Sequence, residues 1–424
     1  MSVLGGSYPD MARSFGTSIK KAAIEGKLYS MAKKYFARKM DYLLGRGYRY
    51  RWTKKMKVDP KQIMFISFQG DYTCNPKYIA EELRKRNKGY KIVWSAREES
   101  LYNESFPPEF KLVTQYSMDF YRELGRSKMV VSNSVEFQKK MSAKKKDQIW
   151  METWHGSLGI KRFDASSNNG REWVAAAKRV GKLSDYIISN STFENDVYRG
   201  TFWPTTTILE YGHPRNDILF NRTDALRTEM LKKVIPAKHR RDNGEKDPFK
   251  YVLYAPTFRD SHSLTPYAVD YDRLCAALSE RFGGKWKVII RLHPTVRNSV
   301  KKPKYGGNVI DLSEYPDIQE IMLVADAAIT DYSSWIYDYI LTGKPGFIFA
   351  TDIKSYDQER GFYFPLSSTP FPIAKNNEEL ENNILQFDEA RYQTEVEAFL
   401  KDKGCFENGD AAKRTADLIE TIMG

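Results

Sequence analysis

The feature that most constrains the fold is a regular alternation of short apolar runs and helical segments between about residues 62 and 350. The apolar runs are bounded by turn residues, which is typical of buried strands, as at 63–68, 91–95 and 128–132. The segment 76–86 between two of them has a proline in a first helical turn and predicts a helix. Because repeated strand–helix units build parallel sheets covered by helices, the sequence predicts an α/β fold with doubly wound, Rossmann-type sheets.

The most hydrophilic break in this alternation is PAKHRRDNGEKDP at 236–248, which predicts a surface loop near a domain boundary. Strand and helix signals resume at residue 251 and continue through 327–330 and 347–350. At 424 residues the chain is long enough for two domains and an appendage. We therefore predict one domain at 60–235 and a second at 236–424, which face a cleft at the carboxyl ends of their strands.

The positive charge of the chain is concentrated near its N-terminus. Residues 12–57 contain 14 Lys or Arg residues against two acidic residues, and so carry +12 of the total of +13. Within this segment Leu28, Ala32, Phe36 and Met40 recur at helical spacing among lysines and arginines. The pattern predicts a basic amphipathic helix at 1–59 that binds an anionic membrane surface. The alternative is a helix that packs on the protein with a solvated basic face.

The sequence gives weaker indications about nucleic-acid binding, cellular location and the role of the cysteines. Tyr48, Tyr50 and Trp52 lie among arginines and could stack on bases, but no nucleic-acid-binding motif accompanies them. The sequence contains neither an apolar run of membrane-spanning length nor a signal-peptide core, so we expect a cytoplasmic protein at the inner face of the cell membrane. The three cysteines are far apart and predict neither a disulfide framework nor a zinc site. The oligomeric state is left open.

A candidate anion site lies in ADAAITDYSSWIYDYILTGKP, residues 325–345. The run 327–330 predicts the end of a buried strand, and a helix is predicted from Ser333 onward. A helix N-terminus that directly follows a strand presents unpaired backbone N–H groups, here beside the hydroxyls of Ser333 and Ser334. The alternative is that Asp331 or Ser333 only caps the helix.

Three of the five histidines fall where a predicted strand ends: His155, His213 and His293. Arg259 follows another strand end. Because ligands bind at the carboxyl ends of parallel strands, this placement favours a functional role over a purely structural one.

Five stretches follow one another in a fixed order: TWHGSLGIK from 153, YGHPRND from 211, YAPTFRD from 254, RLHP from 291 and ADAAITDYSSWIYDY from 325. Together they resemble the CDP-glycerol glycerophosphotransferase family, the TagB/TagF-like polyol-phosphate transferases of teichoic acid and capsule synthesis. The resemblance implies a GT-B-like fold with the nucleotide on the C-terminal domain and the acceptor on the N-terminal domain. It also implies transfer of a polyol phosphate, with glycerol phosphate as the leading candidate, from a CDP-polyol to a hydroxyl of a lipid-linked glycan or polyol-phosphate acceptor, with release of CMP.

Within that resemblance, His155 is the candidate general base, since a neutral imidazole can accept the proton of an attacking hydroxyl. His293 is the second catalytic candidate, and Arg259 and Arg291 would join it in neutralising the leaving phosphate. His213 is expected to stabilise its Gly-Pro turn or line the cleft.

The remaining predicted site residues bind the donor. Ser333, Ser334 and the hydroxyl of Thr257 are expected to hold its diphosphate. No acidic pair has metal-ligand spacing, so the sequence predicts neither a tightly bound metal nor a cofactor beyond the CDP-polyol. The loop 157–163 after the Trp-His-Gly motif is expected to face the acceptor, and Asp217 to cap the helix that begins at Ile218.

Two alternatives from other classes are kept. A GT-B glycosyltransferase that uses a nucleotide sugar would share the fold and the diphosphate site. A non-catalytic basic protein that binds membranes or nucleic acid would explain the N-terminal charge without using the histidines.

Overall fold

The computed structural model of the chain describes residues 47, 49, 51–97, 106–140, 143–158, 162–163, 170–240, 247–257, 269–292, 305–353, 356 and 361–424. Two parallel β-sheets organise these residues. A buried ion-pair cluster joins helices of the two sheets, where Lys77 Nζ lies 2.5 Å from an oxygen of Asp317 and 2.6 Å from one of Glu320.

The first sheet has seven strands in the order β3-β2-β1-β4-β5-β6-β7. Its strands are β1 (Asp59–Ile66), β2 (Lys91–Ala96), β3 (Lys111–Thr114), β4 (Ser127–Ser132), β5 (Ile149–Glu152), β6 (Tyr186–Ser189) and β7 (Thr207–Glu210). The helices that cover it include α1 (Cys74–Arg86), α2 (Met118–Arg126), α3 (Arg171–Leu183) and α4 (Thr192–Gly200). The strand order reverses between β1 and β4, and this is the point where a doubly wound sheet opens a crevice for ligands.

Both faces of the first sheet are buried, which explains why its strands are almost continuously apolar. On β1, Ile63 and Phe65 pack on one face with α1. Met64 and Ile66 pack on the other face with α2 and α3. The alternation follows from the two-residue period of a strand, and it fixes which residues face each layer of helices.

The second sheet has six strands in the order β10-β9-β8-β11-β12-β13. These are β8 (Phe249–Tyr254), β9 (Lys285–Ile290), β10 (Val309–Asp311), β11 (Ala327–Thr330), β12 (Gly346–Phe349) and β13 (Ile373–Ala374). Further α-helices of the described residues include α5 (Asp217–Phe220), α6 (Asp224–Val234), α7 (Tyr271–Phe282), α8 (Ile318–Val324), α9 (Trp335–Tyr339), α10 (Asn377–Leu385), α11 (Glu389–Asp402) and α12 (Ala411–Met423). The predicted α/β class with two doubly wound parallel sheets is confirmed, and the second order reverses between β8 and β11.

The chain divides between the sheets differently from the predicted ranges 60–235 and 236–424. Residues of α5 and α6, including Leu219 and Leu231, pack in the core of the second sheet. The C-terminal helix α12 returns to the first sheet, where Ala416, Ile419 and Met423 pack beside Ile63 and Phe65. The apolar face of a helix packs on the sheet that the preceding turn brings it to. The chain packs on the second sheet both before and after the hydrophilic loop at 236–248, so this loop does not coincide with a change of sheet.

Asp217 caps α12 instead of its own short helix. Its two carboxylate oxygens accept hydrogen bonds from the backbone N–H groups of Ala411 (3.1 Å) and Ala412 (2.7 Å). Burial raises the pKa of Asp217 to about 6, against the opposing effect of these two amide donors. The cap therefore comes from a residue on the other side of the domain boundary.

Replacing Asp217 by alanine is expected to destabilise the protein by about 0.5–2 kcal/mol, because two helix N-terminal amides lose their acceptor. Urea unfolding would measure the loss, and hydrogen exchange should become faster at residues 411–414. The exposed Asp119, which pairs with Arg122 on the same helix, offers a matched Asp→Ala control with a smaller expected effect. An unchanged exchange rate at 411–414 would contradict the capping role.

Only the end of the basic N-terminal segment lies within the described residues. Arg49 is buried, with its guanidinium carbon 5.8 Å from the ring centroid of Tyr121. Thr53 is fully buried, and Arg122 lies over the ring of Trp52 at 5.0 Å. These residues pack on α2. Residues 1–46, which carry most of the predicted amphipathic helix, lie outside the described residues.

Candidate active site

His155 lies at the carboxyl edge of the first sheet, in a turn built by the residues that precede it. The β5 strand ends at Glu152, and Trp154 takes a left-handed backbone conformation with φ of 52°. The Glu152 carboxylate stabilises this conformation, since its Oε1 accepts hydrogen bonds from the N–H groups of Trp154 (2.8 Å) and Thr153 (3.2 Å). Thr153 also donates its N–H to the carbonyl oxygen of Ser132 at 2.7 Å. The turn is thereby fixed to both β4 and β5.

The imidazole of His155 is oriented by the crevice between β1 and β4. Its Nδ1 lies 2.6 Å from the backbone carbonyl oxygen of Asn133. A carbonyl oxygen can only accept, so Nδ1 must carry the proton, and in the neutral ring Nε2 then carries the lone pair. The ring stacks on Phe68 with centroids 5.1 Å apart, and the Trp154 ring lies 4.7 Å away. An exposed residue with a fixed ring and a defined tautomer is the geometry that a general base requires.

The second sheet contributes a polar pair at its own strand-order reversal. The carboxylate of Asp331, after β11, accepts hydrogen bonds from the N–H (2.8 Å) and the hydroxyl (2.9 Å) of Thr257, after β8. It also accepts from the N–H of Tyr332 at 2.6 Å. Asp331 therefore joins the two loops instead of capping α9, and the Thr257 hydroxyl donates to it. Donation from Thr257 to a phosphate would require exchange of that bond and stays a prediction.

Ser333 and Ser334 follow directly and lead into α9. Both are half-buried, and the Ser334 side chain makes no capping hydrogen bond to the helix. Arg291 lies at the end of β9, the neighbour of β8, where its guanidinium donates to the carbonyl oxygens of Tyr315 (3.3 Å) and Pro316 (3.2 Å). Ser333, Ser334 and Arg291 thus share the carboxyl edge of the second sheet with Thr257.

A buried arginine connects the two halves of the site. Arg215 Nε lies 2.9 Å from the Asp338 carboxylate on α9, and its side chain is 3% exposed. Its NH2 group donates to the carbonyl oxygen of Gly156 at 2.5 Å, one residue after His155. The carboxylate of Asp338 also accepts from the side-chain amide of Asn216 at 3.0 Å. One ion pair thus links the His155 turn to the helix that follows Ser333 and Ser334.

The loop after the Trp-His-Gly motif also contacts the second sheet. Leu158 is buried in the hydrophobic core of that sheet. Further along, the N–H of Arg162 donates to the carbonyl oxygen of Gly361 at 3.1 Å, and the ring of Phe163 packs on that of Tyr363. The backbone on either side of this loop is therefore held by the second domain.

The other predicted residues fall into two groups. His213 is fully buried in the turn between the sheets, with its N–H donating to Glu407 (3.1 Å) and its Nε2 3.1 Å from a carboxylate oxygen of Glu194. It supports the turn and does not line the cleft. His293 and Arg259 lie outside the described residues, so their roles stay predictions.

The described residues include no group of three or more His, Cys, Asp or Glu side chains arranged to hold a metal ion. Within the same part of the chain, every helix is too short or too polar to cross a membrane.

With this geometry established, comparison with known proteins identifies the family. Residues 48–421 match the family model described as CDP-glycerol:poly(glycerophosphate) glycerophosphotransferase. The chain belongs to this family. The resemblance inferred from the five ordered motifs is therefore confirmed.

Relatives within this family are teichoic acid enzymes. The chain is 32% identical over 398 residues to a teichoic acid poly(glycerol phosphate) polymerase of Staphylococcus epidermidis, covering 86% of this chain and 51% of the polymerase. Identity to the corresponding polymerase of Bacillus subtilis strain 168 is 28%, covering 87% and 50%. The chain therefore spans about half the length of these two polymerases. A solved structure of the wall teichoic acid polymerase TagF aligns with a TM-score of 0.75 and 28% identity, covering 93% of this chain and 98% of that chain.

Sequence reasoning missed several residues of this family member's site. Asn133 and Phe68 orient His155, yet each lies in a loop without a recognisable motif. Arg215 belongs to the YGHPRND stretch and Asp338 to the ADAAITDYSSWIYDY stretch. Both stretches contributed to the family resemblance, but the sequence predicted no role for either residue. A charged residue of each sign inside otherwise apolar or turn sequence is a signal of a buried pair, although the pairing itself is not readable from spacing.

Ionisation of the Glu152 carboxyl group is expected to make the stability of the protein depend on pH. Burial raises its pKa to about 8, against the opposing effect of the Trp154 and Thr153 amide donors. At a pH between the ordinary glutamate pKa and this value, Glu152 keeps its proton in the folded chain and loses it in the unfolded chain. The contribution of Glu152 to stability is therefore complete at low pH and is lost as the pH rises to about 8.

Replacing Glu152 by glutamine is expected to reduce this loss, because an amide cannot ionise. Urea unfolding at pH 5 and pH 9 should show a smaller stability difference for Glu152→Gln than for the wild type, by roughly 1–4 kcal/mol. Glu109→Gln, at an exposed carboxylate, is the matched control and should leave the pH slope close to that of the wild type. Equal slopes for wild type and Glu152→Gln would contradict the assignment.

Proposed function

We propose that the chain transfers a polyol phosphate, glycerol phosphate in the first place, from a CDP-polyol to a hydroxyl of a lipid-linked glycan or teichoic acid acceptor, with release of CMP. The observation that carries the proposal is the geometry of His155. Its Nδ1 is committed to the Asn133 carbonyl oxygen, so the lone pair is on Nε2 at the exposed edge of the first sheet. Family membership supplies the class of reaction for which such a base is suited.

The proposed reaction is an in-line displacement at the β-phosphorus of the donor. The acceptor oxygen forms a bond to this phosphorus while its proton passes to Nε2 of His155. The bond between the β-phosphorus and the oxygen that bridges to the α-phosphate breaks, and CMP leaves with the electron pair. In such a reaction the protein contributes mainly positioning and neutralisation of phosphate charge, which assigns the remaining residues to the donor.

We assign the donor diphosphate to the carboxyl edge of the second sheet. Ser333 and Ser334 are half-buried beside the Asp331–Thr257 pair, and Arg291 is at the end of an adjacent strand. The predicted cations His293 and Arg259 complete this proposed set on the strength of the sequence. The two sheets then form a GT-B arrangement in which the base and the donor come from opposite sides of one cleft. The buried pair of Arg215 and Asp338, which joins the His155 turn to α9, supports this arrangement.

The preference for glycerol rests on the relatives. The S. epidermidis and B. subtilis proteins are named poly(glycerol phosphate) polymerases, and one TagF structure is described as a complex with CDPG. A teichoic acid poly(ribitol-phosphate) polymerase of Bacillus spizizenii is 25% identical over 392 residues, so ribitol is the comparison to include in a test.

The direct test measures CMP released from CDP-glycerol and from CDP-ribitol, each with and without an alkyl glycerol phosphate as a soluble acceptor. Release that depends on both donor and acceptor is expected, with a larger rate for CDP-glycerol. Thermal unfolding with each donor, and with UDP-glucose as a comparator, gives an independent readout, since a specific ligand at 100 times its Kd stabilises the native state by about 2.7 kcal/mol. A folded protein that releases no CMP from either donor would overturn the proposal.

We further propose that the basic N-terminal segment holds the protein at an anionic membrane surface, on the cytoplasmic side, through residues 12–46, which precede the stretch packed on α2. The support is their charge and the helical spacing of their apolar residues. Flotation with vesicles of anionic and of zwitterionic lipid should separate the two compositions. A variant with Lys33, Lys34 and Lys39 changed to glutamine should lose most of the anionic-vesicle binding. Equal binding of wild type and variant would rule out this segment as the anchor.

A further inference from the structure

A small polar pocket lies at the carboxyl edge of the first sheet, between the ends of β1, β2 and β4. Its volume is about 40 Å³. Its lining residues with hydrogen-bonding side chains include Ser67, Gln69, Ser95, Gln115 and Ser134. Phe120 of α2 contributes an apolar wall. The pocket is therefore in the crevice at the strand-order reversal, where doubly wound sheets bind ligands.

Ser95 is the residue that indicates a ligand. It is fully buried at 0% exposure, and its hydroxyl oxygen has no hydrogen-bond partner among the residues that the structure describes. A buried hydroxyl without a partner costs free energy unless a bound molecule satisfies it. Two other lining residues, Gln69 and Tyr116, have left-handed backbone conformations with φ of 59° and 63°. Strain of this kind in residues other than glycine concentrates at functional sites.

The pocket and the proposed base share two loops. Ser67 directly precedes Phe68, whose ring stacks on His155 at 5.1 Å. Ser134 directly follows Asn133, whose carbonyl oxygen accepts the hydrogen bond of His155 Nδ1 at 2.6 Å. A molecule whose reacting atom is at Nε2 of His155 is therefore close to the same two loops.

The chemistry of the lining selects an uncharged, hydroxylated group. Among the described residues, the side-chain polar groups of the lining are hydroxyls and amides, and none of these lining residues is an Asp, Glu, Lys, Arg or His. A phosphate would lack a compensating cation there, whereas an alcohol can both donate to and accept from serine and glutamine side chains. A cavity needs about 10–15 Å³ to hold one water molecule. The pocket, at about 40 Å³, therefore suits a single hydroxyl-bearing carbon and not a sugar ring.

We propose that this pocket binds the non-reacting hydroxyl of the polyol at the end of the acceptor, while the neighbouring hydroxyl is presented to His155. This inference rests on the proposed function and deepens it, since it makes the acceptor's terminal group a polyol. Ser95 is the residue that recognises the hydroxyl, with Ser67 and Ser134 on either side.

The test compares two soluble acceptors: an alkyl glycerol phosphate, and an alkyl ethylene glycol phosphate that keeps the attacking hydroxyl but lacks the second one. The wild type is expected to favour the glycerol acceptor in kcat/KM by about 3- to 10-fold, the range of one neutral hydrogen bond. Ser95→Ala should reduce this preference to nearly 1, mainly through a higher KM for the glycerol acceptor. Binding of both compounds without donor is measured in parallel by calorimetry.

Ser127→Ala is the matched control, since Ser127 is also fully buried on the first sheet but lies at the opposite edge, where its hydroxyl donates to the carbonyl oxygen of Glu123. It should keep the wild-type preference. No preference in the wild type, or an undiminished preference in Ser95→Ala, would overturn the inference and leave only ordered water in the pocket. If no CMP is released by any protein, the proposed function fails, and the binding measurement alone decides whether the pocket distinguishes the two compounds.

Discussion

Replacement of His155 by alanine is expected to lower the rate of acceptor-dependent CMP release by about 10²- to 10⁴-fold, the range associated with loss of a general base. The side chain is exposed and its ring makes stacking contacts instead of filling the core, so stability should change little. Thermal-shift binding of CDP-glycerol should also be retained, because the donor is assigned to the second sheet. Initial rates at saturating acceptor, together with the unfolding midpoint, measure both expectations.

His239→Ala is the matched control for this experiment. His239 lies in the short helical turn after α6, away from both strand-order reversals, and its backbone carbonyl oxygen accepts a hydrogen bond from Lys287 Nζ. A full rate in His155→Ala would remove His155 from the mechanism. An equally large loss in His239→Ala would point to a general effect of the substitutions on the fold.

Replacement of Arg215 by alanine is expected to cost about 3–5 kcal/mol of stability, because it leaves the Asp338 carboxylate buried without its cationic partner. The same change removes the hydrogen bond to the Gly156 carbonyl oxygen, which positions the turn after His155. We therefore expect kcat to fall even at temperatures where the variant remains folded. Urea unfolding measures the first effect, and CMP release well below the unfolding midpoint measures the second.

Two further variants test whether the stability loss in Arg215→Ala comes from the unpaired, buried charge of Asp338. Arg215→Met combined with Asp338→Leu removes both charges and should restore a large part of the stability lost in Arg215→Ala, without restoring the contact to Gly156. Arg84→Ala, at an exposed ion pair with Glu81, is the matched control and should cost at most about 1 kcal/mol. Equal stability losses for Arg215→Ala and Arg84→Ala would contradict a buried linkage between the domains.

Much of the fold followed from local pattern. The strands of both sheets are buried on two faces, so their sequences are nearly continuous apolar runs that stand out from the helices between them. The position of His155 at a strand end was predictable for the same reason, since a strand that stops at a turn must stop at an edge of its sheet. Motif order then identified the family over residues 60–350, and the family model matches residues 48–421.

The division of the chain between the two sheets was harder to predict from the sequence. The hydrophilic loop at 236–248 is a surface feature, whereas membership of a core depends on which sheet a helix face meets. The helices α5 and α6 precede that loop and pack on the second sheet, and α12 crosses back to the first. Hydropathy along the chain reports that these helices are amphipathic but does not report the partner of their apolar faces.

The sequence by itself therefore determined the class of fold, the family, and the residue type and strand-end location of the proposed base. Only the tertiary structure decided what orients that proposed base and what joins it to the proposed donor side. Asn133 lies 22 residues from His155, and Arg215 lies 123 residues from Asp338. Hydrogen bonds and buried ion pairs of this kind depend on angstrom-scale distances between separate loops, and these distances are set by how two whole sheets pack, which no local spacing encodes. The same packing leaves the Ser95 hydroxyl buried near the end of its strand, where only the assembled crevice reveals that it lacks a partner among the described residues.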